Sequence, residues 1–166
     1  MSVHFESMRA LVKWRYINTL PFLFPFIAQA VTSAGIPVTK EPVSLTRHDG
    51  KQLDGLTLIP WQGGKSLTWD VTVVSTLADS YLHALSDSAG GAAEIASVRK
   101  ESKYSLLPSD NIFQSVVFKT LGSLNSSAYH FLCEVGRCLS VVSGDLPETS
   151  FMFQCLSILL HRFNSV

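Results

Sequence analysis

Two aspartates occupy corresponding places in two apolar, β-branched segments that a glycine-containing turn separates. Asp54 lies near the start of LDGLTLIPW, Asp70 lies within SLTWDVTVVST, and the turn QGGK lies between the segments. If the segments pair as a hairpin, the two carboxylates become neighbours. Neighbouring carboxylates repel each other unless a cation lies between them, and hard oxygen ligands suit Mg²⁺ or Mn²⁺. The spacing indicates either a two-carboxylate metal site or two acids that stabilise strand ends and turns.

A third acid and several cations could complete such a metal site. Glu41, in TKEP, would add an oxygen ligand from the preceding strand. Thr72, two residues after Asp70, carries no charge and cannot supply a cation to such a site. A cation could instead reach the acids from the helix predicted after the third strand, which contains Arg99, Lys100 and Lys103.

The composition predicts a folded protein of one domain. The chain has 166 residues, of which 46% are hydrophobic and 16% charged, and its formal net charge is zero. A neutral chain has no general attraction to nucleic acid, so any contact with DNA requires a local cluster of Lys and Arg. The apolar run LPFLFPFIAQAV is too short to span a membrane. With the cations before it and the A-x-A sequence Ala28-Gln29-Ala30, this run also has the outline of a secretory signal.

Several other chemistries lack their sequence signatures. The chain has no G-x-S-x-G nucleophile motif and no G-x-x-x-x-G-K-[ST] phosphate loop. Its three cysteines, Cys133, Cys138 and Cys155, are odd in number and widely spaced, which argues against a disulfide framework and against zinc. We expect them to be small core residues of helices.

Hydrophobic periodicity and turn signals predict the element order α-β-β-β-α-β-α-α. Three consecutive strands would form a meander, and a helix would then cross over to a fourth strand. The expected fold is therefore α/β (α+β), a mixed sheet of about four strands with helices packed on it. The predicted helices cover 5–34 with a break near Pro21 and Pro25, 78–107 with a break at Gly90-Gly91, 124–142 and 148–164; the strands cover 38–45, 53–61, 66–76 and 112–120.

Residues 27 to 166 resemble the restriction-endonuclease-like C-terminal segment of retrotransposon open reading frames, which lies downstream of the reverse transcriptase. Four stretches carry the resemblance: KQLDGLTLIPWQGGKSLTWDVTVVSTLADSY, GGAAEIASVRKESKY, FKTLGSLNSSAYHFLCEVGRCLS and ETSFMFQCLSILLHRFN. It implies a PD-(D/E)xK-type αβββαβ core and metal-dependent DNA cleavage. It also implies DNA and an upstream reverse transcriptase region as partners, and a nuclear or cytoplasmic location.

The resemblance assigns site residues position by position. Glu41 corresponds to the acid of the first strand, Asp54 to the acid of the (R)PDG motif, Asp70 to the acid of the WD motif, and Lys103 to the lysine of the KY pair. Glu41, Asp54 and Asp70 would bind Mg²⁺ or Mn²⁺, and Lys103 would position the water. Residues 1–25 match nothing in the family, so we expect an atypical helical segment there and an endonuclease-like domain over 26–166.

Two departures from the family pattern leave alternatives open. Thr72 replaces the lysine of the strand, and Gln52-Leu53 replaces the family's Arg-Pro before Asp54. A domain with the same fold could therefore be a catalytically inactive DNA- or protein-binding remnant. A small secreted globular protein, with a mature N-terminus near residue 31, is the third alternative.

Overall fold

The computed structural model describes residues 22–42, 52–74, 91–104 and 110–164. These ranges contain four helices and four strands in the predicted order α-β-β-β-α-β-α-α. The predicted element order is therefore confirmed over the described ranges. The elements are α1 (22–33), β1 (Val38–Lys40), β2 (Gly55–Thr57), β3 (Ser66–Val74), α2 (Gly91–Tyr104), β4 (Asn111–Lys119), α3 (Ser126–Ser143) and α4 (Glu148–Asn164).

The four strands form one mixed sheet in the order β1-β2-β3-β4. β1 pairs with β2 and β2 pairs with β3 in antiparallel fashion, which gives the predicted meander. β4 pairs with β3 in parallel along nine residues, from Ser66 opposite Asn111 to Val74 opposite Lys119. Parallel neighbours need a crossover connection, and α2 lies in the connection between these two strands.

The two faces of the sheet bury different amounts of apolar surface. Alternate residues of β3 point to opposite faces, because the side-chain period of a strand is two. Leu67, Trp69, Val71 and Val73 face the main core, which α1, α3 and α4 complete. The other face carries a smaller cluster, in which α2 contacts β3 and β4 through Val74, Ala93, Ala96 and Val117. Asp70 belongs to this second face.

Helix α1 belongs to the main core, and it includes the A-x-A sequence. Leu23, Ile27, Ala28 and Val31 are fully buried, and the chain is helical on both sides of Pro25. Cleavage after Ala30 would remove Leu23 and Ile27 from the core. Within the described ranges, no helix has both the length and the apolarity that a membrane crossing requires.

Two strands are shorter than predicted. β1 ends at Lys40, because Glu41 adopts a φ of 48° and Pro42 has no N–H to offer a partner strand. β2 covers only Gly55–Thr57 of the predicted 53–61, and Leu58, Ile59 and Pro60 after it are exposed. Parts of the predicted helices and strands lie outside the described residues, namely 5–21, 43–45, 75–90 and 105–107.

The outer edge of β4 is covered by the segment that leads into α3. The side-chain oxygen of Asn125 accepts a hydrogen bond from the Val117 N–H at 2.9 Å, and its amide nitrogen donates to the Ser115 carbonyl at 3.2 Å. Its backbone N–H donates to the Val117 carbonyl at 3.2 Å. The Asn125 side chain therefore takes the place that a peptide group of a fifth strand would occupy.

Candidate functional site

Asp54 lies beside the part of β3 that contains Asp70. The Asp54 N–H donates to the Trp69 carbonyl at 3.0 Å, and the Asp54 Oδ2 accepts a hydrogen bond from the Val71 N–H at 2.5 Å. Trp69 and Val71 flank Asp70 in β3. The register agrees up to Gly55, which is opposite Trp69, and Asp54 immediately before it bonds to the β3 backbone on both sides of Asp70.

The residues next to the two aspartates explain why this pairing forms. A Cβ atom on Gly55 would overlap the six-membered ring of the Trp69 indole, so the indole lies across the backbone of β2 at this glycine. Trp69 is fully buried and forms part of the main core. Gly55 and Trp69 are thus cross-strand partners, and their contact fixes the register that places Asp54 beside the Trp69–Val71 part of β3.

Lys100 of α2 forms an ion pair with the Oδ2 of Asp70 across the second face of the sheet. The Lys100 side chain is 17% exposed and that of Asp70 is 14% exposed, so both charges are mostly removed from water. The helix supports this contact, because Ala93, Ala96 and Lys100 recur at the helical spacing along the side of α2 that faces the sheet.

Glu41 is next to Asp54 at the end of β1. The Glu41 N–H donates to the Asp54 carbonyl at 3.2 Å, while the Glu41 side chain is exposed. Burial raises the pKa of the Asp54 carboxyl above its ordinary value, and the negative charge of Glu41 adds to that rise. The hydrogen bond from Val71 and the positive charge of Lys100 act in the opposite direction on the same pKa. The Asp54 carboxylate is therefore influenced by charges of both signs.

The resemblance selected Lys103 among the three cations of α2, and the structure brings Lys100 to Asp70. Thr72 is half-buried on the face that carries Asp70, and it supplies no charge there. The side chain of Lys103 lies outside the described residues, so its predicted role stays a prediction. The sequence does contain a signal for Lys100. It follows the small residues Ala93 and Ala96 at helical spacing, so all three lie on the same side of the helix.

The carboxylates of Asp54 and Asp70 are the candidate oxygen ligands for a metal ion at this site, and Glu41 lies next to Asp54. No group of three or more His, Cys, Asp or Glu side chains in the described ranges is arranged to hold a metal ion. Two carboxylates still fit Mg²⁺, which commonly keeps several waters and takes one or two protein carboxylates together with substrate phosphate oxygens. Cys133, Cys138 and Cys155 are half-buried free thiols on α3 and α4.

No protein-family model matches the chain, and no curated protein is significantly similar to it. The chemistry of the site therefore rests on its own geometry: Asp54 bonds to the β3 backbone at Val71, and Lys100 of α2 pairs with the Asp70 carboxylate of the same strand.

Proposed function

We propose that this chain is a retrotransposon-derived, restriction-endonuclease-like domain that cleaves DNA strands with Mg²⁺ or Mn²⁺. The observation that carries the proposal is the placement of Asp54 beside Asp70 with Lys100 paired to Asp70. Two carboxylates and a lysine at one point of a sheet are the groups that metal-dependent phosphodiester cleavage uses.

The fold supports the same proposal. A helix, a three-stranded antiparallel meander, a crossover helix and a parallel fourth strand follow one another from α1 to β4. This order agrees with the αβββαβ core that the resemblance implies. Asp70 lies in β3 and Asp54 immediately precedes β2, the two central strands, so the surrounding sheet holds both residues in place.

Each residue has a definite part in the proposed reaction. Asp54 and Asp70 present oxygen ligands, and Asp54 is held in position by the Val71 N–H. Glu41 contributes negative charge from the end of β1. Bound Mg²⁺ would lower the pKa of a water ligand and stabilise the charge that develops on the phosphate. The Lys100 ammonium is placed to orient the attacking water or a phosphate oxygen, which is the part the resemblance gives to Lys103.

An inactive DNA-binding remnant is the second candidate, and one observation favours it. Lys100 offsets the charge of Asp70, and Thr72 leaves β3 without a lysine. Such a domain would bind DNA through local cations and would not cleave it. Its binding would weaken steeply as the salt concentration rises, because phosphate contacts release counterions.

Nicking of supercoiled plasmid DNA with Mg²⁺ or Mn²⁺ tests the proposal. We expect Asp70→Asn to lower the nicking rate by roughly 10²-fold or more, because it removes a charged metal ligand. The matched control is Asp145→Asn, which makes the same chemical change at an exposed position in the connection between α3 and α4. We expect the control to cleave at the wild-type rate.

The outcomes separate the two candidate functions. Equal nicking by the wild type and Asp70→Asn, or no nicking by either, contradicts the catalytic proposal. Salt-sensitive DNA binding without nicking supports the remnant instead. Circular dichroism of each variant establishes that it is folded, so that a lost rate reports on the site.

A further inference from the structure

We infer that Lys100 is a built-in competitor of the metal ion, and that Mg²⁺ binds to Asp70 only when the Lys100–Asp70 ion pair opens. This inference rests on the proposed function and concerns the regulation of the same site. The ammonium group of Lys100 supplies the positive charge next to Asp70.

The position of Lys100 carries the inference. Its Nζ contacts the Oδ2 of Asp70, so it occupies an oxygen that a metal ion would need. A divalent cation bound to Asp70 would be repelled by the Lys100 ammonium group unless that side chain moved away.

The helix backbone cannot easily move to release Asp70. Ala93 and Ala96 lie tightly against the sheet, and the Tyr104 ring stacks on Phe113 with the centroids 4.5 Å apart. Between these contacts, the Ser97 hydroxyl accepts a hydrogen bond from the Asn125 amide at 3.1 Å. Because both ends of α2 are held, the ion pair must open by rotation of the long lysine side chain, which has four rotatable bonds. Lys100 can thus leave Asp70 while α2 stays in place.

The competition weakens the apparent affinity for the metal. The binding free energy of Mg²⁺ is reduced by the free energy needed to separate Lys100 from Asp70. An ion pair that is mostly removed from water is stronger than an exposed one, because solvent and salt screen it less. Removing the ammonium group should therefore tighten the binding of Mg²⁺ by about tenfold, which corresponds to 1.4 kcal/mol.

Isothermal titration of Mg²⁺ into the 166-residue chain tests this inference without any measurement of cleavage. We compare the wild type with Lys100→Met, which keeps the length of the side chain and removes its charge. The control is Lys65→Met, which removes the same charge from the exposed QGGK turn. We expect a Kd for Mg²⁺ about tenfold lower in Lys100→Met, and an unchanged Kd in Lys65→Met.

A second measurement guards against a folding defect. Lys100→Met leaves Asp70 without its counter-ion, so the metal-free variant should unfold at a lower temperature, and Mg²⁺ should raise that temperature more than it does for the wild type. Lys100→Gln is the alternative if Lys100→Met does not fold. Equal or weaker Mg²⁺ binding by both Lys100 variants overturns the inference but leaves the metal site in place. No Mg²⁺ binding by any of the proteins, the wild type included, overturns the metal site and the inference together.

Discussion

The Asp54 carboxyl is half-buried, and burial favours its protonated form over its ionised form. The folded protein therefore has a raised pKa at this group relative to the unfolded chain. Between the two pKa values the folded state binds more protons than the unfolded state, so the free energy of unfolding falls as the pH rises through that window. At neutral pH the ionised carboxylate destabilises the metal-free protein. A divalent cation would remove this cost.

A first prediction at the residue scale follows for Asp54→Asn. The amide keeps an oxygen that can accept the Val71 N–H, and it carries no charge. We expect this variant to be more stable than the wild type at pH 7 without metal, with the difference disappearing below about pH 4. Urea unfolding at several pH values measures the difference.

The exposed substitution Asp145→Asn serves as the control for Asp54→Asn, and we expect it to change stability little at any of these pH values. Lower stability of Asp54→Asn at pH 7 would contradict the prediction. It would show that the ionised carboxylate gains more stability from its hydrogen bond with the Val71 N–H than it loses by being buried.

At the scale of the elements, the pairing of β2 with β3 depends on one contact between a glycine and an indole. Adding a methyl group at Gly55 forces the Trp69 ring or the β2 backbone to move. We expect Gly55→Ala to lower the free energy of unfolding by about 1–3 kcal/mol, as overpacked positions do. It should also weaken any Mg²⁺ binding, because the register that aligns Asp54 with Asp70 is disturbed.

A double-mutant cycle shows whether the indole is the cause. In a Trp69→Phe background the smaller ring leaves more room above Gly55, so Gly55→Ala should cost less than it does in the wild type. If the losses of unfolding free energy from the two substitutions simply add, the alanine acts through the β2 backbone and not through Trp69. Equilibrium unfolding in urea of the four proteins gives the coupling free energy.

A further prediction at this scale concerns the junction of β4, α2 and α3. The fully buried Asn125 side chain binds Val117, Ser115, Ser97 and Ser127, and so joins three elements. Asn125→Ala leaves several buried groups without partners, and we expect it to cost about 2–4 kcal/mol of stability.

Ser127→Ala is the matched control for Asn125→Ala. It removes one hydroxyl that contacts Asn125 from an exposed position, so we expect a cost below about 1 kcal/mol. Thermal unfolding of both variants gives the comparison. Equal costs would mean that the buried bonds of Asn125 to β4 contribute little.

At the scale of the whole molecule, the sequence predicted those features that depend on local pattern. The run of β-branched residues around Trp69 and Asp70 gave the long strand β3, and the QGGK turn gave the pairing that aligns the two aspartates. Both depend on residues close together in the chain. The order of helices and strands followed from the change of hydrophobic period along the sequence.

Features that depend on distant contacts were not predictable in this way. The choice of Lys100 as the partner of Asp70 depends on the rotation of α2 about its axis, which contacts with β3 and β4 determine. The end of β1 at Lys40 depends on the positive φ of Glu41, a conformation for which glutamate has no local preference. The role of Asn125 depends on residues up to 28 positions away.

The covered edge of β4 has a consequence for how copies of this chain meet one another. An outer strand with unbonded N–H and C=O groups is a template on which another chain can add a strand. Here the carbonyl of Ser115 and both backbone groups of Val117 are already bonded to Asn125, and the Lys119 N–H is bonded to Ser123. That part of the edge cannot template strand addition, so the residue that joins three elements also protects the folded chain against edge-to-edge polymerisation.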